Sequence, residues 1–209
     1  MYKRGDIMKL LTSDFYLREA TTVAEDLIGK IIVRTVGNQS YYYKIVETEA
    51  YMGEQDKGAH TFGGKKTNRT APLFEKGGIT YIYLIYGMYN CLNVVVNEEG
   101  VPQGVLIRAL EPLNPESISF ARENRKMNSQ RVTDLTNGPG KLCRALAIDK
   151  TLNATSLMDK GALWIADSQE KYKIERATRI NIPYAEEYQE VLWRFYIKDN
   201  PFVSVVKKP

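Results

Sequence analysis

The sequence predicts a single α+β domain, residues 1–209, built around a substantial curved β-sheet. The 209 residues are 44% hydrophobic and 26% charged, which is the size and composition of one soluble globular domain. Strand-length runs of β-branched and aromatic residues occur in pairs around glycine-containing turns and indicate β-hairpins. No internal repeat, low-complexity tract or Pro/Ser-rich linker divides the chain.

Two helical segments and a hairpin open the chain. Thr12 or Ser13 can cap the first helix. The second is indicated by helical spacing and a glycine stop, at Val23, Leu27, Ile28 and Gly29. A Gly37-Asn38 turn then joins predicted strands at residues 30–36 and 41–51.

The second of these strands places an acid beside an aromatic ring. Side chains alternate between the two faces of a strand, so Glu47, Glu49 and Tyr51 project on one side. The region from residue 41 to residue 93 also holds the only histidine, His60, and eight of the fourteen tyrosines. Such a cluster of aromatic faces, acid and imidazole suits a flat, polar ligand such as a nucleobase.

Residues 53–78 form a predicted loop rich in glycine. A loop this long in a compact domain is usually functional or disordered. A histidine in such a loop is less often a core residue than one on an apolar face, which favours a functional role for His60. The loop also carries basic residues at Lys57, Lys65, Lys66, Arg69 and Lys76.

A second hairpin is predicted from strands at residues 79–85 and 91–96, with Tyr86 near its tip. Tyr86 precedes a glycine in the turn, where a large aromatic side chain is expected to be exposed. The other tyrosines of the hairpin can equally be core or sheet-surface residues. The remaining predicted elements are strands at 104–110, 162–166, 173–176 and 193–206, and helices at 115–127 and 141–147.

Composition limits the partners and the compartment. The formal charge of +4 and the pI near 8.9 permit a nucleic-acid partner without establishing one. Cys91 and Cys143 lie far apart in apolar surroundings, which indicates buried thiols in a reducing compartment. The sequence shows neither a signal peptide nor an apolar run of the roughly 20 residues that a membrane span needs, so we expect a cytosolic protein without membrane association.

Several kinds of chemistry have no sequence signature here. One histidine and two distant cysteines cannot form a usual zinc or iron–sulfur site. The Gly138-Pro139-Gly140-Lys141 stretch lacks the first glycine of a phosphate-binding Walker loop. Dinucleotide-binding and nucleophile-elbow motifs are also missing. Carboxylate, imidazole, arginine and aromatic chemistry remain.

Glu49 and Arg108 are candidates for hydrolytic chemistry. A carboxylate can act as a base on water, and a cationic group can orient that water. Residue type alone leaves open that the two form a surface ion pair at strand ends.

Several long motifs, in order, resemble the alkyladenine (3-methyladenine) DNA glycosylase family, the mammalian type that also occurs in bacteria. They are Glu47-Thr-Glu49-Ala-Tyr51-Met-Gly53, His60 with Gly63-Gly64, residues 81–93, Val105-Leu-Ile-Arg108-Ala-Leu-Glu111-Pro112, residues 138–147 and residues 194–204. The resemblance extends from about Asp14 to Val206. It implies a curved antiparallel, partly barrel-like sheet flanked by helices.

The resemblance also implies an activity. Such enzymes flip a damaged purine nucleotide out of duplex DNA and hydrolyse its N-glycosidic bond, leaving an abasic site, without metal or organic cofactor. Damaged bases of this kind are 3-methyladenine, 7-methylguanine, hypoxanthine and ethenoadenine. The expected partner is double-stranded DNA that contains such bases. We expect a monomer, associated with the nucleoid of a bacterium or located in the nucleus of a eukaryote.

Site residues follow by matching positions. Glu49 matches the general base and Arg108 the residue that helps hold the attacking water. Tyr51 would stack on one face of the flipped base, with His60 and Tyr83 on the other, so that a cationic purine is attracted through cation–π interaction. The pocket floor would be Asn93, which crowds the amino group of guanine.

Further matches concern the DNA itself. Tyr86 matches the side chain that wedges into the duplex. Lys65, Lys66 and Arg69 lie where the family places basic residues near the backbone, although any solvated charge run can imitate this. The loop departs from the family's frequent Thr-Pro-Arg-Asn at Thr67-Asn68-Arg69-Thr70, although Arg69 is retained.

Two other interpretations remain at this point. Asn137-Gly-Pro-Gly-Lys141 could be the hairpin of a helix-hairpin-helix glycosylase, which requires a mostly helical protein. The tyrosines could instead stack single-stranded bases in a binding module that is not an enzyme. A carboxylate beside Tyr51 disfavours that module, because it repels phosphate.

Overall fold

The computed structural model describes residues 8–127 and 131–205, which form an antiparallel sheet of eight strands with helices packed against it. The helices are α1 (Ser13–Tyr16), α2 (Ala20–Asp26), α3 (Pro115–Arg125) and α4 (Pro139–Ala145). The strands are β1 (Ile31–Val36), β2 (Gln39–Tyr51), β3 (Thr80–Ile85), β4 (Tyr89–Val96), β5 (Gln103–Pro112), β6 (Leu163–Ala166), β7 (Ile174–Ala177) and β8 (Arg194–Ile197). The predicted α+β domain with a curled, half-barrel sheet is confirmed.

Strand β2 organises the sheet. The main path runs β3-β4-β5-β2-β1-β6, and β8 also pairs with β2 while β7 pairs with β8. Residues 39–44 of β2 pair with β1, whereas Glu47, Thr48 and Glu49 pair with β8 on one side and with β5 on the other. The sheet therefore branches along β2, and both glutamates lie where three strands meet.

The β2–β5 pairing changes register twice within this junction. Ile45 pairs with Leu110 and Glu47 with Ala109, whereas Thr48 pairs with Ile107. Arg108 therefore has no direct partner in the β2–β5 register. Irregularities of this kind redirect side chains and are frequent beside active sites.

The core lies between the sheet and α2, α3 and α4. Its buried side chains include Val23 and Ala24 of α2, Leu142 and Cys143 of α4, and Ile107 of β5. Both cysteines are buried and unpaired, as the sequence predicts. No helix in the described ranges, 8–127 and 131–205, has the length and apolarity to cross a membrane.

Most predicted elements are present, with three corrections. Strand β8 ends at Ile197, not at residue 206, because Asp199 has a left-handed backbone (φ 57°) and the chain turns back through Asn200. Helix α3 ends at Arg125, because Lys126 is also left-handed. The loop at residues 53–78 contains three short 3₁₀ helices, Gly53–Gln55, Phe62–Gly64 and Ala71–Phe74.

The helix-hairpin-helix interpretation is wrong. The Gly-Pro-Gly stretch opens α4 directly, with Pro139 in its first turn, and packs below the β3–β4 hairpin, where a Cβ on Gly140 would lie 2.9 Å from Cβ of Tyr89. Sheet, not helix, dominates the domain.

Glycine is required before β3 for steric reasons. A Cβ at Gly77 would lie 2.9 Å from the carbonyl oxygen of Tyr16 and 3.0 Å from that of Asn97, and neither is a flexible side chain. We expect Gly77→Ala to lower the free energy of unfolding by about 1–3 kcal/mol through overpacking. Urea denaturation measures this.

Gly161→Ala is the matched control, because a Cβ at Gly161 meets nothing within 4 Å. It should leave stability within about 0.5 kcal/mol of the parent or raise it slightly. Equal destabilisation by both substitutions would contradict the steric argument.

Candidate active site

Glu49 is a fully buried carboxylate held by three hydrogen-bond donors from different parts of the chain. Oε2 accepts from the Tyr51 hydroxyl at 2.9 Å and from Nη1 of Arg108 at 3.2 Å. Oε1 accepts from the backbone N–H of Ile180 at 2.7 Å. An ionised carboxylate offers about four acceptor positions, so these donors leave room for one more, on Oε1.

Arg108 bridges the two glutamates of β2. Its Nε lies 3.2 Å from Oε1 of Glu47, and its Nη1 contacts Glu49. Although burial by itself lowers the pKa of this guanidinium, the negative charges of Glu49 and Glu47 outweigh burial and raise it. Glu49 and Arg108 therefore form a buried ion pair within the sheet. The alternative of a surface ion pair, which residue type alone allowed, is wrong.

Glu47 has a different environment from Glu49. Its Oε2 accepts from the N–H of Ser204 at 2.7 Å, and its Oε1 accepts from the Ser204 hydroxyl at 3.0 Å. Nε of Arg194 lies 3.6 Å from Oε1. The C-terminal turn after β8 thus completes the environment of Glu47, and its Ser204 hydroxyl also accepts from Nη2 of Arg108 at 3.4 Å.

The predicted base-binding residues line one pocket. Tyr51, His60, Tyr83 and Asn93 all line a deep cavity of about 40 Å³, together with Tyr184. This cavity opens into a cleft of about 560 Å³, which Tyr51, His60, Tyr83 and Tyr184 also line. The smaller cavity has room for only a few water molecules, at roughly 10–15 Å³ each, and is too small by itself for a flat ligand.

Glu49 does not line either space, but its three donors do. Tyr51, Arg108 and Ile180 all border the cleft. Burial, followed by the charge of Glu49, raises the pKa of the Tyr51 hydroxyl well above its usual value, so this group stays protonated and donates to the carboxylate. Glu49 therefore sits directly behind the wall of the cleft.

His60 is held as a neutral imidazole. Nη2 of Arg69 lies 3.1 Å from Nε2, and the Tyr81 hydroxyl lies 3.0 Å from Nδ1. Because guanidinium only donates, Nε2 accepts and Nδ1 carries the proton. Burial, then the positive charge of Arg69, lowers the pKa of His60 from 6.5 to about 4.

Aromatic packing fixes the His60 wall of the pocket. The rings of His60 and Tyr83 meet edge to face at 4.5 Å, and Tyr81 stacks on Tyr83 at 5.5 Å. Asn93 is buried on β4, where its Nδ2 donates to the carbonyl of Tyr81 at 3.1 Å. This bond fixes the orientation of the amide in the pocket lining.

Tyr86 lies at the tip of the β3–β4 hairpin, as predicted. It is 78% exposed and has a left-handed backbone, φ 53°, which is unusual for an aromatic residue. Neighbouring Met88 and Tyr89 are also exposed. Tyr86 borders the cleft, opposite the amino end of α4.

The basic loop residues do not share one environment. Arg69 is exposed but turns to the pocket, with its guanidinium carbon 5.2 Å above the Tyr83 ring. Lys65 is exposed, and the ammonium of Lys66 lies 5.1 Å over the ring of Phe74. Lys65 and Lys66 thus stay at the surface, whereas Arg69 is part of the pocket mouth.

Sequence reasoning missed several residues of the site. Ile180 contributes a backbone N–H, which has no side-chain signature. Tyr184 and Arg179 lie in a segment without predicted secondary structure. Tyr81 alternates with Ile82 on a strand already identified, so its place beside Tyr83 was open to prediction.

The described residues contain no group of three or more His, Cys, Asp or Glu side chains that could hold a metal ion.

The chain is similar to one protein family and to named relatives along most of its length. The profile of the methylpurine-DNA glycosylase (MPG) family matches residues 14–201. Among the relatives, each named "Putative 3-methyladenine DNA glycosylase", one from Clostridium botulinum (strain Alaska E43 / Type E3) is 51% identical over 199 residues, 93% of this chain and 98% of its own. One from Natranaerobius thermophilus is 48% identical over 198 residues, 93% and 98% of the two chains. One from Desulfitobacterium hafniense is 45% identical over 202 residues, 95% and 100%.

The family profile and the relatives agree, and the chain belongs to the methylpurine-DNA glycosylase family of base-excision repair enzymes.

Proposed function

We propose that this enzyme flips alkylated or deaminated purines out of double-stranded DNA and releases them by hydrolysis. The substrate class comprises 3-methyladenine, 7-methylguanine, hypoxanthine and ethenoadenine. Water attacks C1′ of the flipped nucleotide as the bond from C1′ to the base nitrogen breaks. The products are the free base and an intact abasic site.

The observation that carries this proposal is the environment of Glu49. A buried carboxylate with three fixed donors and one remaining acceptor position, directly behind an aromatic cleft, is suited to take a proton from water. Arg108 borders the cleft and can orient the same water.

The pocket supports binding of a flat base. Tyr51 would stack on one face, and His60 with Tyr83 would border the other. Asn93, held by the Tyr81 carbonyl, would crowd an exocyclic amino group at the floor. A neutral His60 keeps Nδ1–H engaged with Tyr81, so it acts as a wall and not as a cation.

The exposed hairpin supports DNA distortion. Tyr86 would enter the duplex and fill the gap that the flipped nucleotide leaves. Lys65 and Arg69 would contact the DNA backbone. No cofactor or metal enters the reaction, and the enzyme would act as a monomer.

Leaving groups differ among these substrates. A cationic alkylated base leaves without further protonation. Neutral hypoxanthine and ethenoadenine require protonation or hydrogen bonding as they depart.

Glu49→Gln removes the proposed general base and keeps a side chain of nearly the same size and shape. We expect single-turnover release of ethenoadenine to fall by about 10²–10⁴-fold, the usual contribution of a general base, while binding to the damaged duplex persists. Release is measured on duplex oligonucleotides with EDTA present.

Glu47→Gln is the matched control. It carries the same change on the same strand and beside the same arginine, but its donors include Ser204 and not the cleft-lining Ile180. We expect Glu47→Gln to lower the free energy of unfolding while changing the rate of base release far less than Glu49→Gln does. Equal release by Glu49→Gln and the parent enzyme would rule out Glu49 as the base.

We expect Tyr86→Ala to reduce excision from duplex DNA. Loss of stacking worth about 1–3 kcal/mol corresponds to a drop of roughly 5- to 150-fold in excision from duplexes. Excision from the same base in single-stranded DNA should change far less. Parallel assays on both substrates decide, and equal losses would contradict the wedge role.

We expect His60 to make the free energy of unfolding depend on pH. Its pKa is about 4 in the folded protein and 6.5 as a free side chain. Between pH 6.5 and 4 the unfolded chain therefore binds a proton that the folded protein does not, and the free energy of unfolding falls as pH drops, by on the order of 2–3 kcal/mol.

Urea denaturation at pH 7, 5.5 and 4.5 measures this, with His60→Gln as the reference for all other titrating groups. The parent should lose more stability than the variant over this window. Parallel pH profiles would show that His60 titrates normally.

A further inference from the structure

A buried arginine lies behind the aromatic wall that the proposed mechanism assigns to base stacking. The side chain of Arg179 is fully buried and forms a two-point ion pair with Asp56, at 2.5 Å from Nη1 to Oδ2 and 2.8 Å from Nη2 to Oδ1. Nη1 also donates to the carbonyl of Ala50 at 3.1 Å. No step of the proposed hydrolysis uses this pair.

The guanidinium lies against two aromatic rings. Its central carbon is 4.7 Å from the ring centre of Tyr51 and 5.0 Å from that of Trp193. One face of Tyr51 is therefore covered by a cation. Because Tyr51 also lines the pocket, only its other face is open to a base.

The position of this cation is fixed from both sides. Asp56 accepts from the N–H of Met52 at 3.0 Å and of Gly58 at 2.8 Å, which ties it to the loop that leads to His60. A Cβ on Gly58 would lie 2.9 Å from Nη2 of Arg179, so glycine permits the close approach. The guanidinium cannot leave Tyr51 without disrupting this loop.

The opposite wall carries a second guanidinium. Arg69 lies 5.2 Å above Tyr83 and contacts His60. The same positive charge contributes to the lowered pKa of His60. Both aromatic walls of the pocket are therefore already engaged with arginine.

This arrangement changes what the pocket attracts. A ring attracts a cation through the negative potential of its face. A guanidinium on one face reduces the negative potential at the opposite face, and its charge repels a second cation across the ring. Stacking of a neutral base lacks this penalty.

We infer that Arg179, acting through Tyr51 and together with Arg69, sets base specificity by weakening the attraction of the pocket for cationic purines relative to neutral ones. Arg179 is a positioning residue, because it does not reach the base. The substrate class favoured in binding is the neutral damaged purine, such as ethenoadenine or hypoxanthine. This inference rests on the proposed base-flipping function.

The test compares two duplexes in the Glu49→Gln background, one with neutral ethenoadenine and one with cationic 7-methylguanine. The measured quantity is the ratio of their dissociation constants. Arg179→Gln combined with Asp56→Asn removes both charges and keeps planar side chains of similar size, with the loss of one of the two backbone hydrogen bonds that the Asp56 carboxylate accepts. It should shift the ratio toward the cationic base by roughly 2- to 10-fold.

Asp56→Asn alone is the matched control, for which we expect a shift of the ratio in the opposite direction. It leaves the charge of Arg179 uncompensated, so the ratio should shift toward the neutral base. Loss of packing alone would weaken both duplexes together and leave the ratio unchanged. Shifts of opposite sign therefore separate specificity from structure.

Arg69→Gln keeps the inference testable if the buried variants do not fold, because Arg69 is exposed. It should also shift the ratio toward 7-methylguanine. Ratios within twofold of the parent in every folded variant would overturn the inference. Excision of both bases by the parent enzyme, measured in parallel, tests the proposed function separately.

Discussion

A buried, charge-balanced cluster at the junction of β2, β5 and β8 is the constraint on which the rest of the structure depends. Glu47 and Glu49 face Arg108 and Arg194, and all four side chains are almost entirely inaccessible to solvent. A buried charge costs several kcal/mol unless it is paired and hydrogen-bonded. The branch in the sheet, the register changes of β5 and the C-terminal turn at Ser204 all supply these partners.

The two glutamates show how position decides the role of a residue. They are two residues apart on one strand and share Arg108. Glu47 is closed off by the backbone and hydroxyl of Ser204, whereas the donors to Glu49 all border the cleft. The first completes the fold, and the second is the residue that we propose as the general base.

Two arginines contact the aromatic residues of the pocket, one at its mouth and one behind Tyr51. Arg69 holds His60 neutral at the mouth, and Arg179 is fixed behind Tyr51 by Asp56. Both guanidiniums lie against aromatic rings of the pocket, which by our inference reduces its attraction for charged bases. The contacts that hold the pocket residues thus also bear on selectivity.

Local pattern in the sequence determined the two hairpins, the shared face of Glu47, Glu49 and Tyr51, and the exposed tip at Tyr86. These follow from strand alternation and turn chemistry, which act over a few residues. The long motifs were sufficient to indicate the family.

Tertiary structure alone decided the remaining features of the site. The N–H of Ile180 on Glu49 and the pairing of Arg179 with Asp56 join segments more than a hundred residues apart. Backbone donors carry no residue signature, and a charge pair across that distance leaves no periodicity. Such contacts exist only once the sheet has curled and brought the segments together.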